Sequence, residues 1–161
     1  KPMFASAIYN TLLSVTGAAA AAAREIPSPA VHDLSGKRIL LAEDNALNME
    51  IAMEILSMAK ARVECAENGE EAVKKVLASP AGYYDLVLMD IQMPVMNGHE
   101  ATRKIRASVH PDAASLIILA MTANAFNEDV AAALEAGMNG HIAKPIDVNH
   151  LYDTLDSFFG R

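Results

Sequence analysis

From residue 37 onward, short runs of consecutive apolar residues alternate with longer stretches in which apolar positions recur every three or four residues. The short runs, Lys37–Ala42, Arg62–Ala66, Asp85–Met89, Leu116–Met121 and His141–Ala143, predict five strands buried on both faces. The longer stretches predict helices. Asn45 is placed to cap the first, with Leu47, Ile51, Ile55 and Ala59 on one face. Asn68-Gly69 opens the second, which carries Ala72, Val73, Val76 and Leu77. The third follows a Pro94 and Gly98 loop and ends near Ala107. The fourth spans Glu128–Ala136 and stops at Gly137, a usual C-terminal breaker. The last runs from Val148 to Phe159, with Val148, Leu151, Tyr152, Leu155 and Phe159 inward.

Five strand–helix repeats predict an α/β fold, a parallel sheet covered by helices on both faces. In such a sheet ligands bind in the crevice outside the carboxyl ends of the strands. The residues that fall there carry chemistry. The first strand runs into Glu43-Asp44, the third into Asp90, the fourth into Thr122 and the fifth into Lys144. Three acids, a hydroxyl and an ammonium on one edge suit a divalent metal and a phosphoryl group.

On these residues the chain resembles a known family. Ala42-Glu43-Asp44-Asn45, Met89-Asp90-Ile91-Gln92-Met93-Pro94, Met121-Thr122-Ala123-Asn124-Ala125 and Lys144-Pro145 stand in the order and spacing of two-component receiver (response-regulator) domains. Their wording is most similar to receivers of hybrid sensor histidine kinases. The resemblance covers residues 37–160 and implies a flavodoxin-like doubly wound sheet of strand order 2-1-3-4-5. It also implies a signalling phosphoacceptor that works with Mg²⁺ and receives its phosphoryl group from a histidine. That histidine would lie on a kinase dimerisation domain or a phosphotransfer protein. Three carboxylates in one crevice repel one another, and Mg²⁺ relieves this with oxygen ligands. Asp44 and Asp90 are the expected direct ligands, with the backbone carbonyl of Gln92, and Glu43 acts through water. Asp90 is the expected nucleophile, forming an acyl phosphate. Thr122 and Lys144 are placed to meet phosphoryl oxygens, and the Lys144-Pro145 peptide is expected to be cis. Receivers usually carry tyrosine or phenylalanine where this chain has His141. With Thr122 it forms the expected switch, and histidine makes that switch weak or pH-sensitive. Docking of the donor is expected around Asn45–Lys60 and the loop after Lys144, with Leu47 and Pro145 at its centre.

The bulk numbers narrow the partners. The net charge of −7 lies entirely beyond residue 36, because Lys1, Arg24, Glu25 and Asp33 cancel. An acidic body without a basic run argues against nucleic acid. One cysteine, Cys65, excludes an internal disulfide and fits a small buried hydrophobe on a strand. No stretch is long and apolar enough to cross a membrane. A cytoplasmic location is expected, whether or not the parent protein is membrane-anchored.

The first 36 residues read differently. Lys1-Pro2 through Gly17 matches Lys144-Pro145 through Gly160, with Tyr9/Tyr152, Thr11/Thr154, Leu12/Leu155 and Ser14/Ser157 identical. Residues 1–25 are therefore expected to be an extra helix, the tail of a preceding receiver-like domain, and residues 26–36 a linker. The stripe Phe4, Ile8, Leu12 and Val15 gives an expectation of self-association. The parent is expected to be a hybrid sensor histidine kinase with two receiver-like units in tandem, this one the second and terminal.

Two other functions compete. A Mg²⁺-dependent aspartyl-phosphate phosphohydrolase of the haloacid dehalogenase type places a second aspartate two residues after its nucleophile, where this chain has Gln92. A silent receiver-like interaction module would not need the acid pair, Asp90, Thr122 and Lys144 together. No histidine box or glycine-rich ATP lid appears, so any enzymatic activity of this segment is limited to its own phosphorylation and dephosphorylation.

Overall fold

The computed structural model describes residues 32–123 and 127–159. The helix and self-association expected of residues 1–25, and most of the expected linker, lie outside them. Among the described residues five strands, β1 (Arg38–Ala42), β2 (Arg62–Ala66), β3 (Leu86–Asp90), β4 (Ile117–Thr122) and β5 (Gly140–Ala143), alternate with five helices. The helices are α1 (Ala46–Met58), α2 (Gly69–Ala78), α3 (Gly98–Ala107), α4 (Asn127–Ala136) and α5 (Val148–Phe159). All strand pairs are parallel, in the order β2-β1-β3-β4-β5.

Side chains alternate across the sheet, so each strand feeds two cores. Leu40, Val87, Met89, Ile118 and Ala120 pack on the side of α2, α3 and α4. Ile39, Leu41, Leu88, Leu119, Met121 and Ile142 pack on the side of α1 and α5. Asn45, Asn68 and Asn97 cap α1, α2 and α3, each side chain accepting the N–H three residues on. These caps stand at the carboxyl edge of the sheet, and they fix where the loops carrying the acids turn.

Several expectations need correction. The inward face of α1 is Ala52, Ile55, Leu56 and Ala59, while Leu47 and Ile51 are 64% and 44% exposed. An α-helix turns 100° per residue, so each i, i+4 step drifts by about 40°. Four such positions therefore rotate off any single face. Leu77 of α2 is exposed for the same reason, and Val148 is exposed in the first turn of α5. His32 and Leu34, expected within the linker, pack on the domain. Leu34 is fully buried and its N–H bonds the Ala59 carbonyl at 2.7 Å. His32 stacks on Tyr152 and lies 2.5 Å from Asp156. The second compact unit accordingly begins at His32. Strands β3 and β4 run one residue further than expected, to Asp90 and Thr122. Cys65 is half-buried on the edge strand β2, and burial raises its thiol above the ordinary value.

Candidate functional site

Where β1, β3, β4 and β5 end, the chain delivers Glu43, Asp90, Thr122 and Lys144 to one cleft of about 270 Å³. Each arrives by a rigid route. Asp90 is the last residue of β3, and Gly98 lets α3 start directly above it. A β-carbon on Gly98 would overlap the Asp90 carbonyl, so the loop can close only with glycine. Glu43 is 2% exposed, and its N–H bonds the Ala66 carbonyl at 3.0 Å, which ties it to the end of β2. Lys144 follows β5, with its N–H on the Thr122 carbonyl at 2.8 Å, and the Lys144-Pro145 peptide is cis as expected.

One carboxylate oxygen each from Glu43, Asp44 and Asp90 lie within 4.8 Å of one another. Asp44 is exposed, while Glu43 and Asp90 are buried. The Lys144 ammonium sits between the buried two, 2.6 Å from Glu43 Oε2 and 3.1 Å from Asp90 Oδ2. The other oxygen of Asp90 accepts the Gln92 N–H at 3.3 Å, and Gln92 itself lines the cleft. Burial first, then repulsion from Glu43, pushes the Asp90 carboxyl up to about 6 against the opposing pull of Lys144. Burial opposes the charge on Lys144, yet its bonds to Glu43 and Asp90 outweigh this and hold it above the ordinary lysine value.

One ammonium does not neutralise three acids. The donors are all hard oxygens, and the resulting strain on Asp90 is what a bound divalent cation would relieve. On this test the residues present fit Mg²⁺.

Thr122 is buried at the end of β4, beside exposed Ala123. His141 is half-buried on β5, in register with Ala120, while Ala143 is in register with Thr122. His141 therefore stands on the same sheet face as Thr122, one pleat below it, and outside the lining of the cleft. Two residues that the sequence reading passed over do line it, Asn48 of α1 and Asp129 of α4. Asn48 was findable, since it lies in the first turn of the helix into which Asp44 leads. Asp129 was not, because its place depends on how α4 packs.

A second cavity of about 520 Å³ adjoins the first, lined by Ile51, Pro145 and Ile146 together with Asn48, Ala123 and Lys144. Exposed Ile51 thus belongs to an apolar groove beside the acids.

A doubly wound sheet with an acid triad, a hydroxyl and a lysine at its carboxyl edge defines a metal-assisted phosphoryl-accepting domain. The family model described as response regulator receiver domain matches residues 39–156. The chain belongs to that family, the phosphoacceptor module of two-component phosphorelays. It is 37% identical over 145 residues to Probable histidine kinase 4 of Oryza sativa subsp. japonica, covering 79% of this chain and 14% of that relative's length. Among solved structures it resembles the receiver domain of a Pseudomonas aeruginosa sensor histidine kinase, with TM-score 0.70 and 36% identity, covering 79% of this chain and all of that one. A magnesium ion is coordinated in the active-site cleft of that neighbour. It also resembles the receiver domain of a Saccharomyces cerevisiae response regulator solved with its histidine phosphotransfer protein. There the TM-score is 0.66 and the identity 30%, over 76% of this chain and 88% of that one. No described helix is long and apolar enough to cross a membrane.

Proposed function

We propose that Asp90 is the phosphoacceptor of this domain and that its donor is a histidine on a partner helix. A carboxylate oxygen of Asp90 attacks phosphorus, and the O–P bond of an acyl phosphate forms. The P–N bond of the phosphohistidine breaks, and its electron pair returns to the imidazole nitrogen. The observation that carries this reading is the buried Asp90 carboxyl with Lys144 at 3.1 Å and two further acids within reach of one cation. Glu43, Asp44, Asp90 and the Gln92 carbonyl would hold Mg²⁺, which supplies charge neutralisation on the phosphoryl oxygens when bound. Lys144 neutralises a further oxygen, the Thr122 hydroxyl bonds another, and small Ala123 leaves the approach open. His141 stands where the family's aromatic switch is found, and in this reading it couples to Thr122.

The apolar groove of Ile51, Pro145 and Ile146 beside Asp90 supports docking of a histidine carrier, and the yeast neighbour was solved with a histidine phosphotransfer protein. On α1 both Leu47, expected at the centre of the docking surface, and Ile51 are exposed. The parent is a hybrid sensor histidine kinase in this reading, on the likeness to the plant kinases. The Lys-Pro repeat supports assigning residues 1–25 to a preceding receiver-like unit whose apolar stripe favours self-association. Incubation with acetyl phosphate and Mg²⁺, followed by peptide mapping of the reduced acyl phosphate, tests the assignment. Modification should map to Asp90, and modification elsewhere would overturn it.

A further inference from the structure

The phosphoryl cleft and the apolar groove share three residues, Asn48, Ala123 and Lys144. Lys144 is committed to Glu43 and Asp90, and Ala123 has no group to offer. Asn48 is different. It is half-buried in the first turn of α1, and its own N–H is already satisfied by the Asn45 cap at 3.1 Å. No described residue engages its carboxamide. An amide offers two donor hydrogens and an acceptor oxygen, and among the described residues none takes these up where a polar cleft meets apolar walls.

That junction fits one kind of group. A planar ring with apolar faces and a single N–H on its edge can lie against Ile51, Pro145 and Ile146 while its polar atom meets Asn48. An imidazolium carrying a phosphoryl group has this form, since in the protonated ring the nitrogen opposite the P–N bond bears a hydrogen. We propose that Asn48 is a positioning residue for the donor imidazole, its Oδ1 accepting that ring N–H. The inference rests on the reading of Asp90 as acceptor of a histidine-borne phosphoryl group. As the P–N bond breaks and its electron pair returns to nitrogen, the bonded hydrogen stays on the opposite nitrogen. The imidazole leaves neutral and no proton has to move. Asn48 thereby selects nitrogen-borne phosphoryl groups over acyl phosphates, which present no ring N–H.

Two small donors separate this role from docking and from the acceptor chemistry. Phosphoimidazole presents the ring without a protein, and acetyl phosphate presents a phosphoryl group without the ring. Asn48→Leu keeps the number and branching of side-chain heavy atoms and removes the hydrogen bond, and Asn48→Ala serves as a second variant. Both are expected to slow labelling by phosphoimidazole on the order of 10-fold, the loss of one hydrogen bond, while labelling by acetyl phosphate stays within about twofold. Thermal unfolding of both variants should match the parent chain. Equal losses with both donors would overturn the proposal and make Asn48 part of the acceptor cleft. Unchanged rates with phosphoimidazole would also overturn it. Asp90→Ala, run beside them, isolates the underlying reading: persistent labelling there would remove Asp90 as acceptor, independently of Asn48.

Discussion

Replacing Asp90 by asparagine should stabilise the metal-free domain while abolishing its phosphorylation. The Asp90 carboxyl is pushed from 3.8 to about 6 by burial and by Glu43, so ionising it costs free energy in the folded state only. At 1.36 kcal/mol per pKa unit, this corresponds to about 3 kcal/mol as an upper bound. Solvent at the open mouth of the cleft screens part of the cost, leaving on the order of 1–2 kcal/mol. The folded pKa is raised for an acid, so the penalty is complete above about pH 6 and fades as pH falls toward 3.8. Asparagine carries no charge and escapes the penalty at every pH. In EDTA near neutral pH, Asp90→Asn should therefore melt about 3–8 °C above the parent chain, followed by circular dichroism. The gap should close as pH is lowered toward the unfolded value. Mg²⁺ should raise the melting temperature of the parent more than that of the variant, because a ligand of the folded state stabilises in proportion to its affinity. A variant no more stable than the parent near neutral pH would refute the reasoning. It would mean that the ion pair with Lys144 outweighs burial and repulsion.

Lys144→Ala removes the ammonium held 2.6 Å from Glu43 and 3.1 Å from Asp90. Labelling by a small phosphodonor should slow on the order of 10²–10³, measured by intact mass against time. Glutamate at Ala46 or Ile146 should slow transfer from a phosphohistidine protein while leaving acetyl phosphate labelling intact, and equal loss of both would assign these residues to the cleft. His141→Tyr should enlarge the phosphorylation-induced chemical-shift changes, measured by nuclear magnetic resonance on both proteins. Identical responses in both proteins would end the switch role of His141.

The sheet and its chemistry were legible because they rest on local signals. Short apolar runs such as Leu86–Met89, bounded by polar residues, read as buried strands, and the acids directly follow them. Alternation cannot show which arc of a helix faces inward when apolar residues exceed what the core can take. Leu47 and Ile51 are apolar and exposed because α1 serves two surfaces, the core through Ala52, Ile55 and Leu56 and the groove through Ile51. The start of the domain was misread for a related reason. His32 and Leu34 look like linker among prolines and polar residues, and only their contacts with Asp156, Tyr152 and Ala59 bring them into the body. Asn48 and Asp129 escaped notice because a cleft wall is a property of packing between elements, which no single segment encodes.

Intact mass measurement after incubation with acetyl phosphate tests the central claim most directly. With Mg²⁺ the chain should gain the mass of one phosphoryl group, and with a chelator or in Asp90→Ala it should gain none. A phosphoryl adduct that persists in Asp90→Ala, or that forms equally well in EDTA, would contradict Asp90 as a metal-dependent phosphoacceptor.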